Sequence, residues 1–599
     1  FTHFLLFINV STFARTRHHV LCQSVITSMA DGLFLNKQGL FCYGFNAMIT
    51  AWGQFPKFIR IYFGLSFVFN TFAGNISLYL KIPLLTAGVH AALHTERRFA
   101  MPGTLPVTIN QSIMKTIDNY ISSIRKRTAA PDVASMLTAR GIRTVVAAAL
   151  LALTTTAAAQ LPMRNAENVN KYKDICKRYI YKEKEGMYRE AGGSLPYPFL
   201  APGSNQYLDM LWDWDSWLSN VALRQILADC GTKADSARAL KYEQGCVLNS
   251  LSYGGMDGWI PIWIERNAPS REDMLRKRNP WKSNMHKPTL AQHAAFITRT
   301  MNGDAEWLRD GFYFLQAFVS KYMNHHRHRA TGLLYWETDE AIGVDNDPST
   351  FYRPHESSGS IFLNALMYKE LKAMEYLATR LNLTETARQY ADEADELAAR
   401  VREHCWDRRD GFYYSVDLNL LPVEKPDITG LEPGDLYLHV GQPRSYDCLI
   451  QRLSVWSGFM AMWAGIATRE QAVEMVNRHF RDTTSYNAPA GIRTLSPLEK
   501  MYNTKASGNP SSWQGPVWIN VNYLVFRGLL NYGYEEEARE LAEKTVLLLG
   551  RDFERFGALH EYYLPENGEP VLNKGFQNWN FLVLNMIAWL EGRQQVTEF

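Results

Sequence analysis

Two acidic stretches, more than two hundred residues apart, hold the side chains best suited to acid–base chemistry. Residues 335–348 read YWETDEAIGVDNDP and crowd Glu337, Asp339, Glu340, Asp345 and Asp347 beside Trp336. Residues 560–568 read HEYYLPENG and set Glu561 between a histidine and two tyrosines, ahead of a turn-forming Pro-Glu-Asn-Gly. Crowded carboxyls under apolar cover do not ionise together, so one stays protonated while another is charged. A general acid and a general base acting across one bond need that division. Plainer readings exist for both: the first stretch could hold calcium, and Glu561 could end a salt-bridged strand.

Between and before them lie tryptophan-rich segments. Residues 207–217 (YLDMLWDWDSW) bring Trp212, Asp213, Trp214 and Asp215 together, and residues 258–266 add Trp259, Trp263, Glu265 and Arg266. Residues 511–524 (SSWQGPVWINVNYL) supply Trp513, Gln514 and Trp518 around a Gly-Pro turn. Carboxylates resist burial without partners, so such a mixture is poor material for a helix core. An indole face beside a hydrogen-bonding carboxylate suits a sugar ring, although a structural aromatic cluster with capping Asp residues would read the same way.

The whole chain sets bounds on this chemistry. It has 599 residues, with 63 Lys+Arg against 60 Asp+Glu, a net charge of +3. No strong field therefore favours nucleic acid as a partner. Charged residues at 21% and hydrophobic ones at 46% exclude a wholly disordered or collagen-like chain. Seven Cys without a CxxC pair argue against a zinc ribbon or a disulfide scaffold. The run His325–His328 reads as a solvated loop, and no metal or cofactor is called for.

The elements that must position these loops are mostly helices. Apolar periodicity predicts them over residues 217–227, 290–300, 305–324, 358–381, 384–404, 454–465, 472–480, 517–531, 534–549 and 581–590. Thr468 and Gln471 have the spacing of a capping box. Strand patterns are few, near 411–416 and 559–563. This is an all-α pattern, about a dozen helices over residues 195–599, with a charged helical lead-in at 160–194. No fixed-length repeat supports an open solenoid.

The first part of the chain is different. Residues 136–159 carry Arg140 and Arg143, an apolar run at 145–153, and Ala157-Ala158-Ala159 before Gln160. That is the layout of a secretory signal peptide, and a buried Ala-rich helix is the alternative. Taken as a signal, it implies translation from Met136, an exported periplasmic or extracellular protein, and residues 1–135 as upstream sequence without a compact fold. Residues 59–85 are apolar, but Arg60, Asn70, Asn75 and Lys81 interrupt them, so no stable membrane anchor is expected.

Taken together, these motifs resemble the clan of (α/α)6-barrel inverting glycosidases that holds trehalases and glycoside hydrolase family 63. Most similar are the mannosylglycerate and glucosylglycerate hydrolase-like members of family 63. The resemblance covers roughly residues 195–590. It rests on Gly343-Val344-Asp345-Asn346-Asp347-Pro348, on Glu561 and Tyr563 before Gly568 and Gly575-Phe576, on the run from Gly515 to Asn520, and on Trp214-Asp215-Ser216.

The resemblance implies a closed (α/α)6 barrel cleaving an α-glucoside or α-mannoside, a small glycoside or oligosaccharide, from its end and with inversion. Asp345 would be the general acid and Glu561 the general base. Trp212, Asp213, Trp214 and Asp215 would hold the sugar, with Gln292, Trp336, Trp513, Gln514 and Trp518 lining the walls. Two positions depart from the family pattern: Ala341-Ile342 follow Glu340 where Ser-Gly is usual, and Gln514 stands where the N-glycan-processing branch often has Arg. The second favours a small substrate, for whose carboxylate Arg493, Lys505 and Gln514 are candidate clamps. A trehalase-like hydrolase, a sugar epimerase or isomerase using paired histidines, and a non-catalytic carbohydrate-binding protein remain alternatives.

Overall fold

The computed structural model describes residues 161–268, 285–337, 342–351, 353–420, 445–505 and 511–599, and the backbone of short strands between Leu33 and Thr108. The chain divides into two units, Phe1–Ala158 and Ala159–Phe599. In the first unit the described strands form antiparallel pairings. Leu33–Asn36 pairs with Gly39–Cys42, Ser66–Asn70 lies between Arg60–Tyr62 and Ser77–Lys81, and Arg98–Phe99 pairs with Val107–Thr108. The interrupted apolar stretch at 59–85 thus contains strands. Among the described residues no helix is long and apolar enough to cross a membrane. The signal-like segment 136–159 and most of residues 1–135 lie outside the described residues.

Among its described residues the second unit holds a single turn of helix at Ser204–Tyr207 and twelve further helices. In chain order these are α1 (Ala166–Glu183), α2 (Asp213–Cys230), α3 (Lys233–Ser252), α4 (Leu290–Thr300), α5 (Phe312–His325) and α6 (Ile361–Arg380). There follow α7 (Thr384–His404), α8 (Met460–Ala464), α9 (Arg469–Met475), α10 (Ile519–Asn531), α11 (Glu535–Phe556) and α12 (Val583–Leu590). A 3-10 turn leads into α8 at Trp456–Phe459 and into α12 at Asn578–Leu582, and a π turn continues α9 over Val476–Phe480.

Burial separates them into two layers. Fourteen of the eighteen residues of α2 are buried, whereas α7 buries only six of twenty-one, on one face. A helix apolar along one stripe coats a core, and one buried all round lies inside it. The inner set is α2, α4, α6, α8, α10 and α12. Each packs on the next, and α12 packs back on α2, so the ring closes. Among the outer helices, α3 covers α2 and α4, α7 covers α6, and α11 covers α10 and α12. The first helix, α1, seats on α11 and α12, the last two.

Polar pairs lock neighbouring inner helices. Glu370 of α6 accepts from the backbone N–H groups of Ala291 and Gln292 at 2.7 and 3.1 Å, where α4 has unpaired donors. Asn220 of α2 bridges His293 of α4, at 2.9 Å, and Glu243 of α3, at 2.7 Å.

Three details differ from the sequence reading. Residues 233–252, given no element there, form α3, started by a Thr232/Asp235 capping box. Gly245 is required where the Pro198 carbonyl comes close, since a Cβ there would sit 1.8 Å from its oxygen. The run His325–His328 is no solvated loop, because the chain turns back through an Arg327–Leu334 bridge and buries His326. Near 411–416 Phe412–Tyr413 pairs with Trp406–Asp407, but 559–563 holds only isolated bridges at Tyr563, to Val517 and Pro570.

Candidate active site

Every segment singled out for chemistry leads into the N-terminal end of an inner helix. Trp212 precedes α2, Lys287 precedes α4, Asp345 lies in the loop before α6, Trp518 precedes α10, and Glu561 with Gln577 and Asn578 precedes α12. Ring closure therefore brings residues remote in sequence to one rim.

Glu561 is 4% exposed and makes no ion pair among the described residues. The Tyr207 hydroxyl donates to its Oε1 at 3.4 Å, and the Asn573 amide donates to its Oε2. Burial pushes the carboxyl up to about 7, the two donors oppose the rise, and the charge of Asp345 adds to it. The same two carboxylates, with Asp215, act on the Tyr207 hydroxyl, which burial first of all holds well above its ordinary value. Asp345, Glu561 and Tyr207 thus share one electrostatic neighbourhood. Glu561 is not the end of a salt-bridged strand. His560 beside it turns the other way, onto Asp552 at 3.0 Å.

Asp345 is held by its neighbour. Asn346 takes the left-handed conformation with φ +54°. Its side-chain oxygen accepts from the Trp513 backbone at 2.9 Å, and its carbonyl accepts from the Gln514 amide at 3.2 Å. The acidic loop is thereby fastened to the Gly-Pro segment ahead of α10. From the other side Gly343, at φ +60°, packs against Lys287 so closely that a Cβ would lie 2.5 Å from Nζ.

Lys287 was not singled out from the sequence, and it is central here. It is 1% exposed, bonds Asp213 at 2.9 and 3.0 Å, and stands over the Trp214 ring at 4.9 Å. Asp213 also accepts from the Lys287 backbone N–H at 2.9 Å. Its carboxylate is the counter-ion of a buried pair, a different role from the sugar holder implied by the family resemblance. Asp215 accepts from Asn578 at 2.6 Å, and burial and then the Asp213 charge push its carboxyl up to about 8.

The tryptophans form a graded stack. Trp212 and Trp263 face each other across the Met210–Trp212 and Trp263–Glu265 strand pair, with centroids 5.9 Å apart. Beneath them Trp513 stacks on Trp518 at 4.0 Å, Trp518 on Tyr562 at 4.7 Å, and Trp214 meets Trp579 at 5.5 Å. Trp336 is buried, with its indole N–H on Ser360 at 3.1 Å. The Trp212 Nε1, by contrast, is buried without an acceptor among the described residues. The Nε1 atoms of Trp217, Trp456 and Trp579 are in the same position.

Two further corrections follow. Gln292 lines no wall: wholly buried, its amide donates to the Pro288 and Leu366 carbonyls at 2.7 and 3.1 Å and ties α4 to α6. Arg493 is no free clamp, since Glu566 and the Thr483 and Ser485 carbonyls hold its guanidinium. Among the described residues no cluster of three His, Cys, Asp or Glu could hold a metal, and Asp339 and Glu340 lie outside them.

Residues 208–580 match the model of the mannosylglycerate hydrolase MGH1-like glycoside hydrolase domain. The chain belongs to this family. A probable mannosyl-oligosaccharide glucosidase of Schizosaccharomyces pombe is 24% identical over 314 residues, 50% of this chain and 34% of that protein. A mannosylglycerate hydrolase of Rubrobacter radiotolerans is 26% identical over 210 residues, 35% of this chain and 39% of the relative. A probable trehalase of Eremothecium gossypii is 27% identical over 205 residues, 32% and 23% respectively. The chain thus spans between about a quarter and two fifths of the length of these relatives. A crystal structure of a GH63 mannosylglycerate hydrolase from Thermus thermophilus with glucose aligns at a TM-score of 0.49 and 20% identity, over 68% of this chain and 99% of the other.

Proposed function

We propose that the protein is an inverting, exo-acting glycoside hydrolase that cleaves an α-glucoside or α-mannoside, with Asp345 as general acid and Glu561 as general base. The single observation that carries this reading is the buried, ion-pair-free Glu561, held by Tyr207 and Asn573 within the field of Asp345.

Repulsion between the two carboxylates favours one proton on the pair. In the productive state Asp345 carries it and gives it to the glycosidic oxygen. Glu561, ionised, takes a proton from a water that attacks the anomeric carbon from the opposite face. Inversion requires carboxyl groups about 6.5–9.5 Å apart, wide enough for that water. A base whose pKa lies near 7 is as strong as it can be while still ionised at neutral pH. Trp212, through its unpaired N–H, and Asp215 would hold the sugar, and the stack of Trp214, Trp513 and Trp518 would form its floor.

A mannosylglycerate or a terminal glucose of an oligosaccharide is the substrate to try first, given what the relatives act on, with a glucosylglycerate and trehalose next. NMR of the first product from an α-glycoside tests the mechanism: β-anomer is expected, and early α-anomer would overturn inversion. The signal-like segment at 136–159 supports export of the enzyme. Sequencing the native protein should then find Gln160 at its N-terminus, and a retained 136–159 segment would refute this.

A further inference from the structure

Opposite the catalytic rim, a cavity of about 380 Å³ opens at the C-terminal ends of inner helices α8 and α10. Its wall includes Lys369, Trp463, Gly465, Arg469, Asn531 and Tyr532. Helix α10 separates this end from Trp518, and thirteen residues at 1.5 Å each make about 20 Å. The cavity is therefore distinct from the site of Asp345 and Glu561.

Its chemistry is cationic and unanswered. Lys369 projects half-buried from helix α6, and burial holds its ammonium below the ordinary value. Among the described residues it makes no hydrogen bond or ion pair; the Trp463 and Phe599 rings stand near it, both at 5.7 Å, and the charge of Glu598 acts on it against those of Arg527, Arg299 and Lys372. Glu598 is the nearby carboxylate, but its oxygens are already engaged. Oε1 accepts from the Trp463 indole and Arg527, and Oε2 from the Tyr523 hydroxyl and Arg527. Three donors thus serve this carboxylate, the Arg527 Nε–H being shared between its two oxygens. Arg469, across the cavity, is exposed and also lacks an ion pair among the described residues. The Asn531 amide and the Tyr532 hydroxyl donate to main-chain carbonyls, which fixes the rim in place. A half-buried ammonium is stable when an anion answers it, and a guanidinium beside it matches the oxygens of a phosphoryl group. The volume falls among small-molecule pockets, about 300–1,000 Å³, and exceeds what one inorganic ion fills.

We propose that this cavity is a second ligand site, binding a small phosphate-bearing molecule through Lys369 and Arg469. Both free phosphate and a phosphorylated sugar offer that chemistry. The test is calorimetric titration of the full chain with inorganic phosphate, with glucose 6-phosphate and with glucose, at low ionic strength. Saturable binding of a phosphate probe is expected, weakened at least tenfold in Lys369→Met and in Arg469→Gln, and retained in Lys369→Arg and in Glu561→Gln. Tighter binding of glucose 6-phosphate than of phosphate would assign the cavity to a sugar phosphate, and equal binding to the free ion. Absence of binding by both phosphate probes would overturn the proposal, as would binding that survives both neutral variants or is lost in Glu561→Gln. Arg469 is exposed, so Arg469→Gln decides the matter even if Lys369→Met does not fold.

Discussion

Asn573 donates its side-chain amide to the carboxylate of Glu561, twelve residues earlier in the chain. The same amide lies 3.3 Å from the Tyr207 hydroxyl, which itself reaches Glu561, so the proposed base sits in a small polar cradle within an apolar surround. Both donors favour the ionised form, against the burial that disfavours it.

Asn573→Ala removes one of the two groups holding that pKa down. The carboxyl should then titrate above about 7, and because a base must be ionised, the acidic limb of the kcat/KM profile should move to higher pH. Losing a hydrogen bond to a charged group is worth about 1.5–3 kcal/mol, so a loss of about 10–100-fold in kcat is expected at neutral pH. A pH–rate profile measured beside that of Tyr207→Phe checks both parts.

Glu561→Gln and Asp345→Asn should each lower kcat by about 10²–10⁴-fold, the usual contribution of a positioned acid or base. The Glu561 variant should also be more stable. A carboxyl raised from 4.5 to about 7 binds a proton more tightly in the folded state. Stability from this group is therefore present at low pH and lost as pH rises from about 4.5 to about 7. At 1.36 kcal/mol per unit the cost approaches 3 kcal/mol above pH 7. Denaturant melts of the two proteins should agree best near pH 4.5 and diverge by about 2–3 kcal/mol at pH 8.

Lys287→Met leaves the Asp213 carboxylate buried without its counter-ion. Breaking a buried pair from one side costs about 3–5 kcal/mol. Adding Asp213→Asn should recover much of that loss, and a double-mutant cycle by chemical denaturation measures it.

Gly343→Ala combines a strained φ of +60° with a Cβ placed 2.5 Å from Lys287 Nζ and 2.9 Å from Ile262 Cδ1. Both neighbours are buried, so the loop carrying Asp345 must move. Activity should fall at least tenfold while the far-UV circular dichroism spectrum stays unchanged. Full activity would show that the loop position is not set by Lys287.

The outer helices were legible in the sequence because each has a dry and a wet face: 384–404 was read to the residue, and its buried Ala387, Ala394, Leu397 and Val401 show why. Inner helix α4 is equally legible, at 290–300, whereas 217–227 is only a fragment of α2, whose first turn is the Asp-Trp-Asp motif itself. Helix α3 escaped notice because Gly245 and scattered polar residues weaken its stripe. The motif loops were found from their composition, but the roles within them were not all readable. Asp213 and Asp215 are near neighbours in sequence, yet only the fold shows that a lysine 74 residues later neutralises the first. Gln292 is a pocket wall only through the family resemblance, and in the fold its amide serves two carbonyls.

The seating of α1 on α11 and α12 has a bearing on how the enzyme is made. More than three hundred and fifty residues separate the end of α1 from the start of α11. At about 5–20 residues per second, a ribosome needs roughly 20–70 s to supply that partner. Throughout that interval the nascent chain carries an apolar stripe of Val169, Tyr172, Cys176, Tyr179 and Ile180 without its main partner, its contacts with α2 being few. Glu561, the proposed base, also emerges late, so a product truncated before it would hold most of the helices and is expected to be inert.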